Sequence, residues 1–440
     1  MTVLPGDSSG TSAVEVPEAV SLAAELIKLN TSNPGQMERG AASLVADALR
    51  EAGASIRWFE PEPGRVSLVA RIAGDGHGQP PLLVHSHLDV VPAVDSEWTS
   101  DPYGGDIVDG YLWGRGAVDM KGTIGCVLGA VRAMAHAGLR PQRDLVLAFF
   151  ADEEAGGQLG AAHVVREAPE LFGDCREAIG EVGGFSYSLA PGRRAYFVAT
   201  AEKGVCWTRL IAHGRSGHGS MINPDNPIDR LADTLTRMRT AFNAAEPAPT
   251  ATARATLDAL RIALDRPGAT GEEMLAVTGP LQRMLRAGLR DTVNPTELQA
   301  GFKANVVPGT ASATLDGRFV PGAGAAFTAR LIELAGERTK IETLYYGDAV
   351  EAPLDSPLLD AIGSALVAED AAAVVVPYMS TAFTDAKWLS KLGIHCYGFA
   401  PMQLPDDLDF TALFHGVDER VPVAALDFGT RVLQTLFAAY

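Results

Sequence analysis

PLLVHSHLD, residues 81–89, is the stretch that decides how this chain folds. Its apolar run is too short for a buried helix and stops abruptly at His85, His87 and Asp89, as a fully buried strand does when its carboxyl end turns polar. The same pattern recurs in DLVLAFFADEE (144–154) and EAIGEVGG (177–184), and LVARIA (68–73) adds a further strand. A helix is expected from about Lys121 to His136, between the runs at 81–89 and 144–154. Alternating strands and helices imply a largely parallel α/β sheet, which gathers functional groups in the crevice at the carboxyl ends of its strands. Purely structural strands would have no reason to end repeatedly in metal-binding side chains.

Upstream, Pro17 opens an apolar run of helical period through Val20, Ala23, Leu26 and Ile27, and a second helix carries Met37, Ala41, Leu44 and Leu49. Downstream of Gly204 the texture changes. An alternating strand, VCWTRLIAHG, leads to RSGHGSMINPDNP, an amphipathic helix through Ile228, Leu231, Leu235, Met238 and Phe242, and an Ala/Pro/Thr-rich stretch. Further strands are expected at about 297–305 and 312–320, with a helix at about 323–336, together a small α+β insert. From a helix near 356–368 onward, with the strand AAVVVPYMS, the α/β texture resumes. No internal repeat is visible.

A chain of 440 residues exceeds the size at which one core usually stops growing, so two domains are expected. Hydrophobic residues make up 47% and charged residues 20%, a composition that folds throughout, the first fifteen residues excepted. Thirty-six basic against fifty-four acidic residues leave a net charge of −18, which argues against nucleic-acid or anionic-membrane partners. No stretch approaches the ~20 apolar residues of a membrane span, and the leader MTVLPGDSSGTSAVE lacks the basic and apolar regions of a secretory signal. Cys126, Cys175, Cys206 and Cys396 lie far apart without a CxxC pair, so a reducing cytoplasm is expected.

The chemistry-bearing residues lie at the strand ends and in two loops. His87 and Asp89 have the spacing at which a carboxylate can reach the far ring nitrogen of a metal-bound imidazole. GRGAVDMKG (114–122) reads as a tight turn with Asp119 near the start of a helix; it matches neither phosphate-loop pattern, and an acid at its centre would repel phosphate. Asp152, Glu153 and Glu154 would repel one another without a cation nearby. On an extended chain Glu153 and Glu154 point in opposite directions, so one can bind metal while the other handles protons. Glu181 ends the next strand, and FHGVDER (414–420) supplies a second histidine, His415. Two histidines and three acids are the nitrogen and oxygen donors expected of a pair of divalent ions such as zinc.

HSHLDVVP, GRGAVDMKG, ADEEAGG, EVGG, GHGS, NVVPGTASATLDGR and HGVDERVPV, in this order, resemble the dinuclear zinc family. That family includes aminoacylases, glutamate carboxypeptidases, dipeptidases, acetylornithine deacetylase and succinyl-diaminopimelate desuccinylase. The resemblance covers nearly the whole chain. It implies a zinc-peptidase-like, mostly parallel sheet flanked by helices, with an inserted α+β lid that dimerises. The catalytic domain would span 1–204 and 349–440, and the lid 205–348.

By the same resemblance His87 binds one zinc with Glu181, His415 binds the other with Glu154, and Asp119 bridges both. Glu153 is then the general base and Asp89 orients His87. The peptide bond after Asp119 is expected to be cis. His218, in GHGS, would reach the partner subunit's site in a homodimer, with VCWTRLIAHG as an edge strand able to pair with its two-fold copy. Asn305 and Arg318 match positions that hold the substrate's α-carboxylate, although an ion pair with Asp316 would equally account for Arg318.

The implied activity is hydrolysis of an amide bond in an N-acyl amino acid or small peptide with a free α-carboxylate, using two zinc ions for which cobalt or manganese could substitute. Within the family, dipeptidase and deacetylase or desuccinylase activities are the alternatives. Glu at 181 resembles the aminoacylase and desuccinylase branches, and HGVDERVPV resembles the aminoacylase and carboxypeptidase S type. A non-catalytic binding protein would be expected to lack a ligand or Glu153, and all are present. A serine hydrolase built on Ser380 and Asp385 lacks the GxSxG elbow.

Overall fold

The computed structural model describes residues 16–440 apart from 77, 245–247 and 249. The first fifteen residues, set apart above as a leader, lie outside the described residues.

The largest sheet has ten strands. At its centre Leu145–Phe150, Leu82–His87, Glu177–Gly180 and His395–Gly398 lie side by side in parallel. Every residue of the first two is buried, as a parallel sheet covered by helices on both faces requires. The hairpin of Ser55–Glu62 and Arg65–Ile72 extends one side in antiparallel fashion. On the other side Arg193–Glu202 pairs in parallel with Ala373–Ser380 and antiparallel with Phe185–Ala190. The sheet is therefore mixed and mostly parallel at its centre, with helices on both sides, as the alternation of elements implies.

Lys121–His136 is the central helix, buried along most of its length between Glu18–Lys28 and Val423–Ala439. Its glycines make that approach possible: a Cβ at Gly125 would sit 2.3 Å from the Ala19 carbonyl oxygen. Gly125→Ala would force these helices apart, an overpacking that costs about 1–3 kcal/mol.

A second, four-stranded antiparallel sheet runs Thr292–Ala300, Thr310–Phe319, Gly204–His213, Thr339–Gly347. Pro227–Asn243 and Gly324–Ala335 cover one face through Leu231, Phe242, Phe327 and Leu331, packed around Leu210 and Phe319. One expectation is corrected here. Gly204–His213 is an interior strand, bonded on both sides; the free edges are Thr292–Ala300 and Thr339–Gly347. Period-two alternation reports a single buried face and says nothing about neighbours in the plane of the sheet.

Between strands of this small sheet the chain returns to the large one. Ala251–Ala263 and Gln282–Gly288 pack on Ala373–Ser380. Buried Lys203, between Arg193–Glu202 and Gly204–His213, fixes the end of the second helix: its Nζ donates to the carbonyls of Ala287 at 3.2 Å and Arg290 at 2.8 Å, and to Thr292 Oγ1 at 2.8 Å. Among the described residues no helix is long and apolar enough to cross a membrane.

Candidate active site

Three adjacent parallel strands deliver their next residues to one place. Leu82–His87 ends in His87; Leu145–Phe150 runs on to Glu153 and Glu154; Glu177–Gly180 runs on to Glu181. Asp119 comes from the loop before the central helix, and His415 from a loop in which its own φ is 57°. Peptide bonds Asp119–Met120 and Glu181–Val182 are cis, the first as expected. His85, on the same strand as His87, has a different part: it is buried against Gly180, where a Cβ would meet its Nε2 at 2.1 Å.

The carboxylate of Asp119 divides its oxygens between two histidines. Oδ1 lies 2.9 Å from His87 Nε2, and Oδ2 lies 3.3 Å from His415 Nε2. His87 Nε2 is also 3.1 Å from Glu181 Oε2, and His415 Nε2 is 3.2 Å from Glu154 Oε2. Tetrahedral donors about 2.0–2.1 Å from a zinc ion stand about 3.3 Å apart. The side chains are thus already at ligand spacing. Buried Glu154 Oε1 has no hydrogen-bond partner, as an oxygen reserved for a cation would be left. His87 Nδ1 sits 2.9 Å from the Asp89 carbonyl oxygen, which only accepts, so Nδ1 carries hydrogen and Nε2 is the nitrogen left to face a cation. Residues, distances and donor types all fit a pair of divalent ions.

The electrostatics agree. Burial raises the carboxyl of Glu153 well above the usual range, with repulsion from Glu181 adding to it. Burial likewise pushes Glu181 up to about 7 and raises Glu154. Hydrogen bonding to Asp119 and then Glu154 lifts His415 to about 10. Burial pulls His87 down, but Glu181, Asp119 and Asp89 outweigh it and hold the imidazole well above its ordinary value. Without metal, protons on these groups balance the crowded acids.

The carboxylate of Asp89 lies near His87 as its spacing predicts, with Oδ1 3.6 Å from Nδ1, while the Asp89 backbone carbonyl makes the closer contact at 2.9 Å. Asp89 Oδ1 also accepts from the Glu153 amide at 3.1 Å, and Oδ2 accepts from the Glu154 amide at 3.2 Å and Asn33 Nδ2 at 2.9 Å. One local expectation is corrected: Glu153 and Glu154 are not on extended backbone. Asp152 takes φ 68° and Glu153–Ala155 forms a short 3-10 turn, which separates the two acids. Asp152 itself turns away to Arg65, 3.1 Å off.

A cavity of about 560 Å³ opens over Asp119, Glu153, Glu154, Glu181 and His415. Phe185, Trp207, Met284, Phe383 and Phe414 give it apolar walls, and Arg318 and Arg283 supply its cations. Arg318 is paired with Asp316 at 2.7 Å and 3.2 Å, so the ion pair weighed above and a place in the cavity are both realised. Asn305 and His218 are elsewhere. They share a two-stranded ribbon of Gly217–His218 and Val306–Val307, with Gly219 N donating to Asn305 O at 2.9 Å, and neither lines the cavity. Ser380 Oγ bonds within its own loop, to Ala382.

Composition and spacing did not single out Lys387, Glu202 or a site role for Asp385. All three are buried beside the acids; neither Lys387 Nζ nor either Asp385 oxygen has a hydrogen-bond partner, and Nζ lies 3.5 Å from the centre of the Phe383 ring. Burial lowers Lys387, and burial raises Asp385 well above its usual range. The available signal was the polar run TDAK closely following the apolar strand AVVVPYMS, the same strand-end pattern as at 81–89.

The description "Peptidase family M20/M25/M40" matches residues 83–439. The chain is 28% identical over 428 residues to Aminoacylase-1 of Sus scrofa, covering 96% of this chain and 95% of that one. It is 30% identical over 394 residues to Probable carboxypeptidase S-like 2 of Dictyostelium discoideum, covering 81% of this chain and 71% of that one. Its fold is similar to that of an M20 family metallo-carboxypeptidase from Sulfolobus solfataricus, with a TM-score of 0.73 at 18% identity over 96% of this chain and 98% of the other.

Proposed function

The chain belongs to peptidase family M20/M25/M40 and hydrolyses amide or peptide bonds, and on that premise we propose that it cleaves an N-acyl amino acid or small peptide with a free α-carboxylate at two zinc ions. One observation carries the two-ion reading: Asp119 turns one oxygen to His87 and the other to His415. His87 and Glu181 would hold one ion, His415 and Glu154 the other, with Asp119 between them. When bound, such ions acidify water toward a pKa of ~7 and polarise the amide carbonyl.

The chain's own groups do the rest. Glu153, at the cavity wall, would be ionised with cations held beside it, and would take a proton from the attacking water and pass it to the departing nitrogen. Asp89 keeps that carboxylate in place through the Glu153 amide. The apolar walls exclude bulk water and receive the acyl or side-chain group. Arg318 would take the α-carboxylate: Asp316 occupies Nε and Nη2, leaving Nη1, which makes only a 3.5 Å contact to the Thr381 carbonyl oxygen.

His218 and Asn305 lie outside the cavity of their own chain, which supports a homodimer whose lid, within 205–348, brings them to the neighbouring site. Met221, Ile222 and Phe302, close in sequence to the ribbon that carries them, are 71%, 98% and 83% exposed, an apolar surface that favours a covering partner. The four buried, unpaired thiols support a cytoplasmic setting.

The test is a panel of N-acyl amino acids and dipeptides, each with its α-carboxylate free or amidated. Free carboxylates should be cleaved with kcat/KM at least about 30-fold higher, equivalent to about 2 kcal/mol for one charge-assisted contact. Equal cleavage of both forms would remove the carboxylate from the proposal.

A further inference from the structure

The loop that presents Asp119 is held by a carboxylate 300 residues away in sequence. Glu419 is fully buried. Its Oε1 accepts from the amides of Val118 at 2.7 Å and Asp119 at 3.1 Å, and its Oε2 from the Gly116 amide at 3.1 Å and Arg115 Nη1 at 2.7 Å. Gly114 and Gly116 supply the positive φ angles, 143° and 92°, that turn these amides toward one point. The result is an anion nest of the kind that elsewhere holds phosphate, filled here by the protein's own side chain. That is why GRGAVDMKG is glycine-rich without being a phosphate loop.

The same carboxylate belongs to the segment that carries His415. Arg115 spans both partners: Nη1 reaches Glu419, and Nη2 contacts the His415 carbonyl oxygen at 3.4 Å. Two backbone links close the clasp, with Gly114 N donating to Glu419 O at 3.0 Å and Arg420–Pro422 pairing with Tyr111–Trp113. Asp119 and His415 come from distant parts of the chain, yet must face one ion together. Glu419 bonds to the Asp119 amide while being four residues from His415.

We infer that Glu419 is a positioning residue: it fixes the backbone of Asp119 against the His415 loop before metal arrives, so that one carboxylate meets both histidines. This rests on the two-ion reading. It predicts that Glu419→Gln, which turns one acceptor into a donor facing amides or Arg115, weakens metal binding about 10–100-fold, the usual effect of losing a group that orients a ligand. Arg194→Met breaks the remote ion pair with Asp370 and serves as a control for lost stability.

Zinc affinity by competition with a chromophoric chelator, together with thermal melting, reads both variants. The expected result is a loss of about 10–100-fold for Glu419→Gln against less than about threefold for Arg194→Met at a comparable drop in melting temperature. Equal affinities in the two variants would overturn the inference. Hydrogen exchange on the metal-free wild-type protein decides the question even if Glu419→Gln does not fold. Slow exchange at the Gly116, Val118 and Asp119 amides supports a preformed clasp; exchange at unprotected rates, slowed only by added zinc, refutes it. A wild-type protein that binds a single ion would instead contradict the two-ion reading and leave the exchange result standing.

Discussion

Replacing Asp89 by Asn separates two jobs that a strand-end acid beside a histidine ligand can do. In the structure its Oδ2 accepts two hydrogen bonds, from the Glu154 amide and Asn33, and its Oδ1 accepts one, from the Glu153 amide. The asparagine side chain can keep an oxygen at only one of these places. Keeping it at Oδ2 preserves more bonds, so the new NH2 falls opposite the Glu153 amide, donor against donor. One hydrogen bond to a charged acceptor is worth about 1.5–3 kcal/mol, so stability should fall by about 2 kcal/mol in chemical denaturation. Released from its anchor, the Glu153 turn shifts, and a displacement of about 1 Å at a reacting group costs about 100-fold in rate. His87 is affected little, because its Nδ1 is held by the Asp89 carbonyl, which the substitution leaves in place. Steady-state kinetics at saturating zinc should show kcat reduced about 100-fold while zinc affinity changes less than about tenfold. If kcat is preserved and zinc affinity collapses, the Asp89 carboxylate acts through His87 and its role in positioning Glu153 is wrong.

Glu153→Gln should lower kcat about 10²–10⁴-fold with both metals retained, whereas Glu154→Ala should lose one metal equivalent; elemental analysis of the two purified proteins distinguishes them. Metal uptake should release protons. His415, raised to about 10 in the metal-free site, is protonated at pH 8 and must shed that proton to coordinate, so apparent affinity rises with pH until about pH 10. Calorimetric heats that do not depend on the ionisation enthalpy of the buffer would contradict this. Finally, inactive Glu153→Gln and His218→Ala homodimers should recover activity after subunit exchange, as one site of the mixed dimer has both residues intact; no recovery after verified exchange would remove His218 from the neighbouring chain's site and leave it acting only within its own chain.

Much of the site was legible because metal chemistry marks strand ends. His87, Glu153, Glu154 and Glu181 each follow an apolar run, and a buried strand gains nothing in packing from ending in ionisable donors, so their recurrence points to a ligand. Asp119 and His415 sit on loops, so only their place in whole motifs marked them. What escaped depends on three-dimensional neighbours. Gly204–His213 reads as one half-buried strand whether it lies at an edge or inside the sheet. Glu419 looks like an ordinary acid in a polar loop until its four donors, three of them backbone amides, are seen. Asp89 satisfies the spacing for a histidine partner, but the turn at Asp152 brings the amides of Glu153 and Glu154 to its carboxylate first. Lys387 went unmarked because a strand-end cation carries no distinctive spacing, and for the same reason Asp385 reads only as a partner of Ser380.

Two-ion hydrolysis is tested most directly by the stoichiometry of the site. Titrating the metal-free protein with zinc, while following bound metal and hydrolysis of an N-acyl amino acid in the same samples, should show two ions bound per chain, with full activity reached only near the second equivalent. Saturation at a single ion, or undiminished hydrolysis by the metal-free protein in the presence of a chelator, would contradict it.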